Sequence, residues 1–341
     1  MLLDITQEDR QLWVSYFNLD GKTRFKTYDL QPEDMFNWEV CDGGDSKADP
    51  KIKNWDGRSV KKARSRYLNK YRIIEYMDQL SFSDRELIFG YHFPKTFFVD
   101  IEVEVTDSFP EPSKAPNPVT AICIVTPEKQ CIVLATKDLD KSVQIKIQKQ
   151  IDDHFKAIDE EFFFTFKCFK NEYDMLYTFM DSFVKKFSMM TGWNYVQFDW
   201  QYIVNRCKKL GIDPSIASPI GRTFGKHEFP CHVGVMDYLD IYAKWDRTVD
   251  IKTMEIALTI AHMTQISIFK AASPVAITEA LLAREFLTRD LVMAKDPKAP
   301  PTKRQQFEGA FVKEPKTGMH NAVAAFDFAS LYPSIMRQLN V

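Results

Sequence analysis

No stretch of this chain is apolar for long enough to cross a bilayer, and its first residues lack the basic, apolar and small-residue order of a secretory leader. Membrane insertion and export are therefore not expected, and a cytoplasmic protein is. None of the six cysteines (Cys41, Cys123, Cys131, Cys168, Cys207 and Cys231) stands in a Cys-x-x-Cys pair. That excludes the usual zinc spacings and a disulfide framework, and predicts reduced, mostly buried thiols. Internal repeats and low-complexity tracts are missing as well. So is any excess of positive charge. Lys and Arg number 45 against 47 Asp and Glu, a net charge of −2, so nothing global marks a nucleic-acid binder. The local exception is residues 51–72, where Lys51, Lys53, Arg58, Lys61, Lys62, Arg64, Arg66, Lys70 and Arg72 stand against Asp56 alone. Such a run is more often a solvated face than a phosphate contact.

What is present is a large apolar store. Hydrophobic residues make up 45% and aromatics 13% of 341 residues, enough for two or three domains with real cores. Trp13, Val14, Tyr16 and Phe17 predict a strand, with a turn at Gly21-Lys22 returning toward Phe25 and Tyr28. Residues 41–58 read as a loop and the basic run after it as partly helical. From Phe97 to Val105, apolar residues alternate with Asp100, Glu102 and Glu104, which is the period of a strand with one buried face. Residues 119–126 and 130–136 flank Pro127-Glu128-Lys129 as a hairpin, and 161–169 form another strand. Asn171 is placed to cap a helix with the apolar stripe Met175, Leu176, Phe179, Met180, Phe183, Val184 and Phe187, ended by Gly192. A short strand then leads to Asp199, and a second amphipathic helix runs through Ile203, Val204, Cys207 and Leu210 to Gly211. Residues 254–263 are helical and 294–306 a linker. The succession of strand, hairpin, strand, helix, strand and helix predicts a mixed α/β (α+β) layer fold with helices on a central sheet.

Three acidic positions stand out in that frame. Asp100 and Glu102 lie two apart on one strand, hence on one face and roughly 6–7 Å apart along the backbone. Carboxylates that close repel unless a cation or proton intervenes. Two hard cations roughly 4 Å apart, held by several such oxygens, stabilise both the attacking and leaving oxygens of a phosphodiester displacement. Alone, an Asp-x-Glu is equally a solvent-facing acidic strand, as Glu104 on the same face illustrates. Asp199, where a strand hands over to a helix, either caps that helix or projects over the sheet edge toward Asp100. Asn194 stands five residues earlier, placed to orient a substrate or water. Near the end of the sequence, residues 322–328 are apolar except for Asp327, as in a buried strand ending in one carboxylate. Pro333 suits the first turn of a helix and biases Tyr332 toward extended backbone.

These phrases resemble family B DNA polymerases. Phe98-Val99-Asp100-Ile101-Glu102 is similar to the first exonuclease motif of that family, and Asn194-x-x-x-Phe198-Asp199 to the second. Asp327-Phe328-Ala329-Ser330-Leu331-Tyr332-Pro333-Ser334 is similar to the first palm motif. The phrases 235–242 and 309–315 resemble the tailed-phage branch. The resemblance implies an N-terminal domain over 1–95, a ribonuclease-H-like 3′–5′ exonuclease domain over 96–270, a connecting helix and linker over 271–308, and the start of a polymerase palm over 309–341. It implies Asp100, Glu102 and Asp199 as ligands of two Mg2+ or Mn2+ ions, Asn194 and Phe198 shaping a single-stranded 3′ end, Asp327 binding the polymerase metals, and Leu331 and Tyr332 beside the incoming nucleotide.

The family also has a Tyr and, four residues later, a fourth exonuclease carboxylate. Tyr242 and Asp246 have that spacing, with the Tyr positioning the attacking water, yet the usual intervening segment is short here. Asp250 and Asp240 remain alternatives, as does the absence of any such ligand. The implied partners are DNA, a further region or polypeptide carrying fingers, the rest of the palm and a thumb, and a sliding clamp. Because the sequence stops soon after Asp327, this chain alone is expected not to polymerise. The alternative expectation is a non-catalytic nucleic-acid-binding scaffold that completes a split polymerase.

Overall fold

The computed structural model describes residues 1–104, 110–156, 160–240, 251–271, 273–298, Gly318 and 331–339, the side chains of 251–254 and 331–333 apart. The chain forms two compact units, Met1–Pro297 and Lys298–Val341.

The larger unit begins with an antiparallel meander of β1 (Leu2–Glu8), β2 (Gln11–Phe17) and β3 (Thr23–Asp29). The alternation of Leu12, Val14 and Tyr16 buries one face of β2, as expected. Then come β4 (Phe36–Val40), the two-residue β5 (Lys53–Asn54) and β6 (Val60–Arg64), which pairs antiparallel with β4. Two helices follow, α1 (Lys70–Asp78), capped by Asn69, and α2 (Phe82–Phe89), capped by Ser81. The basic run 51–72 is thus strand and loop except for its last three residues. Several of its charges are paired within the fold: Arg58 with Asp56 and Asp296, Lys61 with Asp45, Arg66 with Asp9 and Lys70 with Glu279. The Lys62 amine lies 4.5 Å from the centre of the Phe36 ring.

The central sheet comprises β7 (Thr96–Val103), β8 (Val119–Val125), β9 (Gln130–Ala135), β10 (Phe163–Cys168) and β11 (Met189–Gly192). It is completed, after the small hairpin β12 (Thr223–Phe224) and β13 (Phe229–Pro230), by β14 (Gly234–Asp237). Its order is β10-β9-β8-β7-β11-β14. β8 runs against β7 and β9, and the remaining pairings are parallel. This mixed sheet is the architecture of a ribonuclease-H-like fold. Helix α3 (Lys141–Phe155), which periodicity did not predict, precedes β10 and buries none of its residues. Its apolar positions are separated by Lys and Gln that blur the stripe.

Helices α4 (Glu172–Thr178) and α5 (Gln201–Lys209) cover one face of the sheet. Val99 and Ile101 of β7, Ile122 and Ile124 of β8 and Leu134 of β9 meet Met175, Leu176, Phe179, Met180, Ile203 and Cys207 in one core. Full burial of each large side chain contributes roughly 1.5–3 kcal/mol. Glu172 ties these layers together. Its carboxylate accepts two bonds from Arg206 at 2.7 Å and one from the Val119 amide at 2.7 Å.

The predicted stripe from Met175 to Phe187 is buried except for Phe183, which is half-buried against the same core. The helix does not reach Gly192, however. After α4 it widens into a π turn at Phe179–Phe183, tightens at Val184–Lys186 and gives way to β11. The opposite sheet face is covered in part. Met189 and Tyr238 pack there against Met1, Leu3 and Phe17, and against Leu258 and Ala261 of α6 (Ile251–Thr264). Next comes α7 (Pro274–Leu287), and then β15 (Leu291–Val292), which pairs parallel with β5. The cysteines are free thiols, but only Cys207 and Cys231 are buried and Cys168 is exposed. The expectation of mostly buried thiols therefore fails. In the smaller unit, α8 (Leu331–Leu339) includes Pro333 in its first turn. Tyr332 is helical rather than extended, because the helix begins before the proline.

Candidate active site

The site forms where two neighbouring strands part. β7 pairs with β8 from Phe98 to Val103, but with β11 only from Thr96 to Phe98. Past Phe98 one edge of β7 has lost its strand partner, and its backbone donors need acceptors. The amide of Ile101 finds one in Asp199, whose Oδ1 accepts at 3.1 Å. This is the crevice at the carboxyl end of a parallel strand where α/β sheets bind ligands.

Local sequence brings Asp199 there. Gly192 ends β11 against β7 so tightly that a Cβ would stand 2.6 Å from the Val99 carbonyl oxygen. Asn194 turns the chain through left-handed backbone, φ 56°, which Asn tolerates better than most residues. The next turn, Val196–Trp200, is π-helical, with the Trp200 amide donating to Tyr195 at 2.7 Å. Tyr195 and Trp200 are fully buried at its two ends. Such a bulge re-aims one side chain and is frequent at functional sites. Here it leaves Asp199 directed at β7, so Asp199 lies inside a helical turn and not at a strand end as expected. Asp237, buried at the end of β14, holds the loop from the far side, accepting from the amides of Val196 at 2.8 Å and Leu239 at 2.9 Å.

Electrostatically, Asp199 is strained. Burial, then the charge and hydrogen bond of Asp100, push its carboxyl up to about 7. Asp100 and Glu102 project from the exposed face of β7, with Val99 and Ile101 buried on the other. Cys123 stands directly across from Asp100 on β8. Its thiol is pushed up to about 11, by burial first and then by the charges of Asp100 and Glu102.

The structure therefore brings Asp100 and Asp199 into contact and sets Glu102 beside them on the same strand face. Among the described residues, no three His, Cys, Asp or Glu side chains close into a complete metal-binding group. Asn194 and Phe198 are half-buried in the turn leading to Asp199, and the Phe198 ring centroid lies 5.9 Å from that of Tyr202. Asp240 is exposed, and its charge acts on Asp237 and His227. Tyr242, Asp246, Asp250 and Asp327 lie outside the described residues. Leu331 and Tyr332 are placed on α8, without their side chains. Sequence reading missed the supporting role of Asp237 and the place of Cys123 opposite Asp100. Only the pairing of β11 with β14 and of β7 with β8 exposes them. A buried Asp ending an apolar strand was the one available signal for Asp237.

Two family models match the chain. DNA polymerase family B, exonuclease domain, covers residues 56–236, and DNA polymerase family B covers 264–341. The chain is 24% identical over 318 residues to the DNA-directed DNA polymerase of Escherichia phage RB69, a match spanning 71% of this chain and 35% of that protein. It is 24% identical over 332 residues to the DNA-directed DNA polymerase of Enterobacteria phage T4, spanning 75% and 36%. It is 24% identical over 301 residues to a DNA polymerase of Archaeoglobus fulgidus, spanning 73% and 34%. The chain thus spans about a third of the length of the curated relatives it matches.

Proposed function

The chain belongs to DNA polymerase family B, and from that premise we propose that residues 96–270 form a metal-dependent 3′–5′ exonuclease acting on single-stranded DNA ends during replication. The observation that carries this reading is the Asp100–Asp199 contact in the crevice between β7 and β11. A buried carboxyl raised to about 7 by burial and a second carboxylate is suited to a hard divalent cation, which would replace the proton and remove the repulsion. The donor chemistry fits Mg2+ or Mn2+. Asp100 and Asp199 would hold it, with Glu102 adjoining. When bound, the ions would supply an activated water and stabilise the negative charge that develops on the phosphoryl and leaving oxygens.

The chain's own residues set the geometry. Ile101 fixes the Asp199 carboxylate by its amide, Asp237 fixes the loop that presents Asp199, and Asn194 and Phe198 adjoin the strand end to be cut. A fourth carboxylate from Asp246, Asp250 or Asp240 would complete the set, with Tyr242 orienting the water. On the same reading, 1–95 would be an N-terminal domain, 271–308 a connection and 309–341 the opening of a polymerase palm. There Asp327 would bind metal, with Leu331 and Tyr332 near the nucleotide. Template-directed synthesis would belong to the assembly that includes fingers, palm and thumb, working on primer-template in the cell interior and held to DNA by a sliding clamp. Among the described residues no helix is long and apolar enough to cross a membrane.

The test is hydrolysis of a 5′-labelled single strand with Mg2+ or Mn2+. The wild-type chain is expected to shorten it from the 3′ end, and Asp100→Ala with Glu102→Ala to lower the rate at least a hundredfold while the fold survives. Hydrolysis undiminished in the double variant would defeat the assignment. Strand binding without hydrolysis in the wild type would favour a scaffold.

A further inference from the structure

Phe98 is the third residue of β7 and lies on its open face, two positions before Asp100 and four before Glu102. The buried face of the same strand ends in the core with Val99 and Ile101. Across the sheet Phe98 stands opposite Thr191 of β11 and Val125 of β8. Its ring lies nearly parallel to that of Tyr238, 13° between planes and 5.8 Å between centroids. Tyr238 is 9% exposed and packed with Met189, Leu258 and Ala261, whereas Phe98 is 39% exposed. One ring is therefore anchored in the core and the other is stacked upon it with its remaining surface in solvent. The strand places this surface beside the carboxylates, roughly 6–7 Å from Asp100 along β7, about the rise of two stacked nucleotides.

From this arrangement we infer that Phe98, braced by Tyr238, is a base-stacking subsite for one of the last two bases of a single strand entering the carboxylate crevice. The inference rests on the exonuclease reading for the identity of the strand, and on geometry alone for the stacking. A flat, rigid aromatic face accepts any base, since every base has a π-face, and it loses little side-chain freedom on contact. It would complement Phe198, whose ring packs toward Tyr202 and the core. Phe98 would thus set how firmly the end is held, whatever its sequence, and the carboxylates would determine whether it is cut.

The experiment measures binding without turnover. The full chain is titrated, in EDTA, into a short single-stranded oligonucleotide carrying 2-aminopurine at its last or penultimate position. Affinity is read by anisotropy and stacking by quenching of the 2-aminopurine. Phe98→Ala is expected to weaken binding by a factor on the order of ten and to abolish the quench. Phe98→Trp should retain both. Phe98→Leu still fills the space over Tyr238 and guards against a folding defect, and it should behave as the alanine variant does. An oligonucleotide with abasic sites at both positions should bind wild type and Phe98→Ala alike. Wild-type affinity and quench in Phe98→Leu, or an equal loss on the abasic strand, would overturn the subsite by showing that the side chain only supports the fold. Hydrolysis by the wild type, measured separately with Mg2+, keeps the two readings apart. Phe98-dependent quenching without hydrolysis would uphold the subsite and sink the nuclease, and hydrolysis with Phe98-independent binding would sink the subsite alone.

Discussion

Replacing Asp199 by Asn should make the metal-free protein more stable while destroying its nuclease. The carboxyl of Asp199 titrates at about 7 in the fold against 3.8 for the ordinary group, owing to burial and to Asp100. Three pH units at about 1.4 kcal/mol each set an upper limit on the order of 4 kcal/mol for the cost of holding it ionised. Local relaxation and water entry reduce this, and about 2 kcal/mol is a reasonable expectation. Asn keeps the useful contacts, because its Oδ1 can still accept from Ile101 and its Nδ2 can donate to Asp100.

The direction with pH follows from proton linkage. Between about pH 4 and 7 the folded protein binds a proton at Asp199 that the unfolded chain does not, so stability falls as pH rises through that window. The advantage of Asn over Asp should therefore vanish near pH 4, reach about half its full size at pH 5.5 and level off above pH 7. Melting in EDTA across this range is the assay. Asp199→Asn should melt about 4 °C above wild type at pH 8, and Mn2+ should raise the wild type more than the variant. A lower melting temperature for the variant at pH 8, or a difference that does not change with pH, would refute the electrostatic account of the site.

Three further outcomes are expected. Asp237→Ala strands the half-buried amides of Val196 and Leu239 and should cost about 1–3 kcal/mol in urea unfolding. Asp237→Asn should recover part of that, and equal losses for the two would show that the carboxylate does not pin the loop. Gly192→Ala drives a Cβ against the Val99 carbonyl and should cost about 1–3 kcal/mol as well as lowering nuclease rate, so a wild-type melting temperature would contradict the close approach of β11 to β7. His232 is fully buried between Ser15 and Thr6, and burial lowers its pKa to about 4. Its neutral form is the stable one, so stability should decline as pH falls from 6.5 toward 4, by up to about 3 kcal/mol, partly offset by Asp4, whose pKa burial raises. His232→Asn should flatten this limb in denaturant titrations at several pH values, and an unchanged acid limb would discount His232.

Sequence alone carried the strand pattern of residues 97–103, the hairpin after it, the Asn171 cap and the apolar stripe from Met175. Those features depend on local periodicity and local hydrogen bonds, which neighbouring residues supply. It also carried the family, because three short phrases with fixed acidic spacing are rare together. It did not show where the helix before Gly192 ends, because a helical stripe and a buried strand are alike apolar at Phe187–Met190 and only pairing with β7 and β14 separates them. Nor did it show that residues 60–64 form a strand, since three of the five are cationic and only their antiparallel pairing with β4 makes the strand visible. The meeting of Asp100 with Asp199 was decided by tertiary structure. It requires β11 to leave β7 after Phe98, a π turn to re-aim one residue, and Asp237 on a third strand to hold that turn. These are long-range events whose energies come from packing and burial, and no window of sequence contains them. The same holds for the charge state of Asp199, which is set by how little water reaches it and by a carboxylate on a strand that lies far away in the chain.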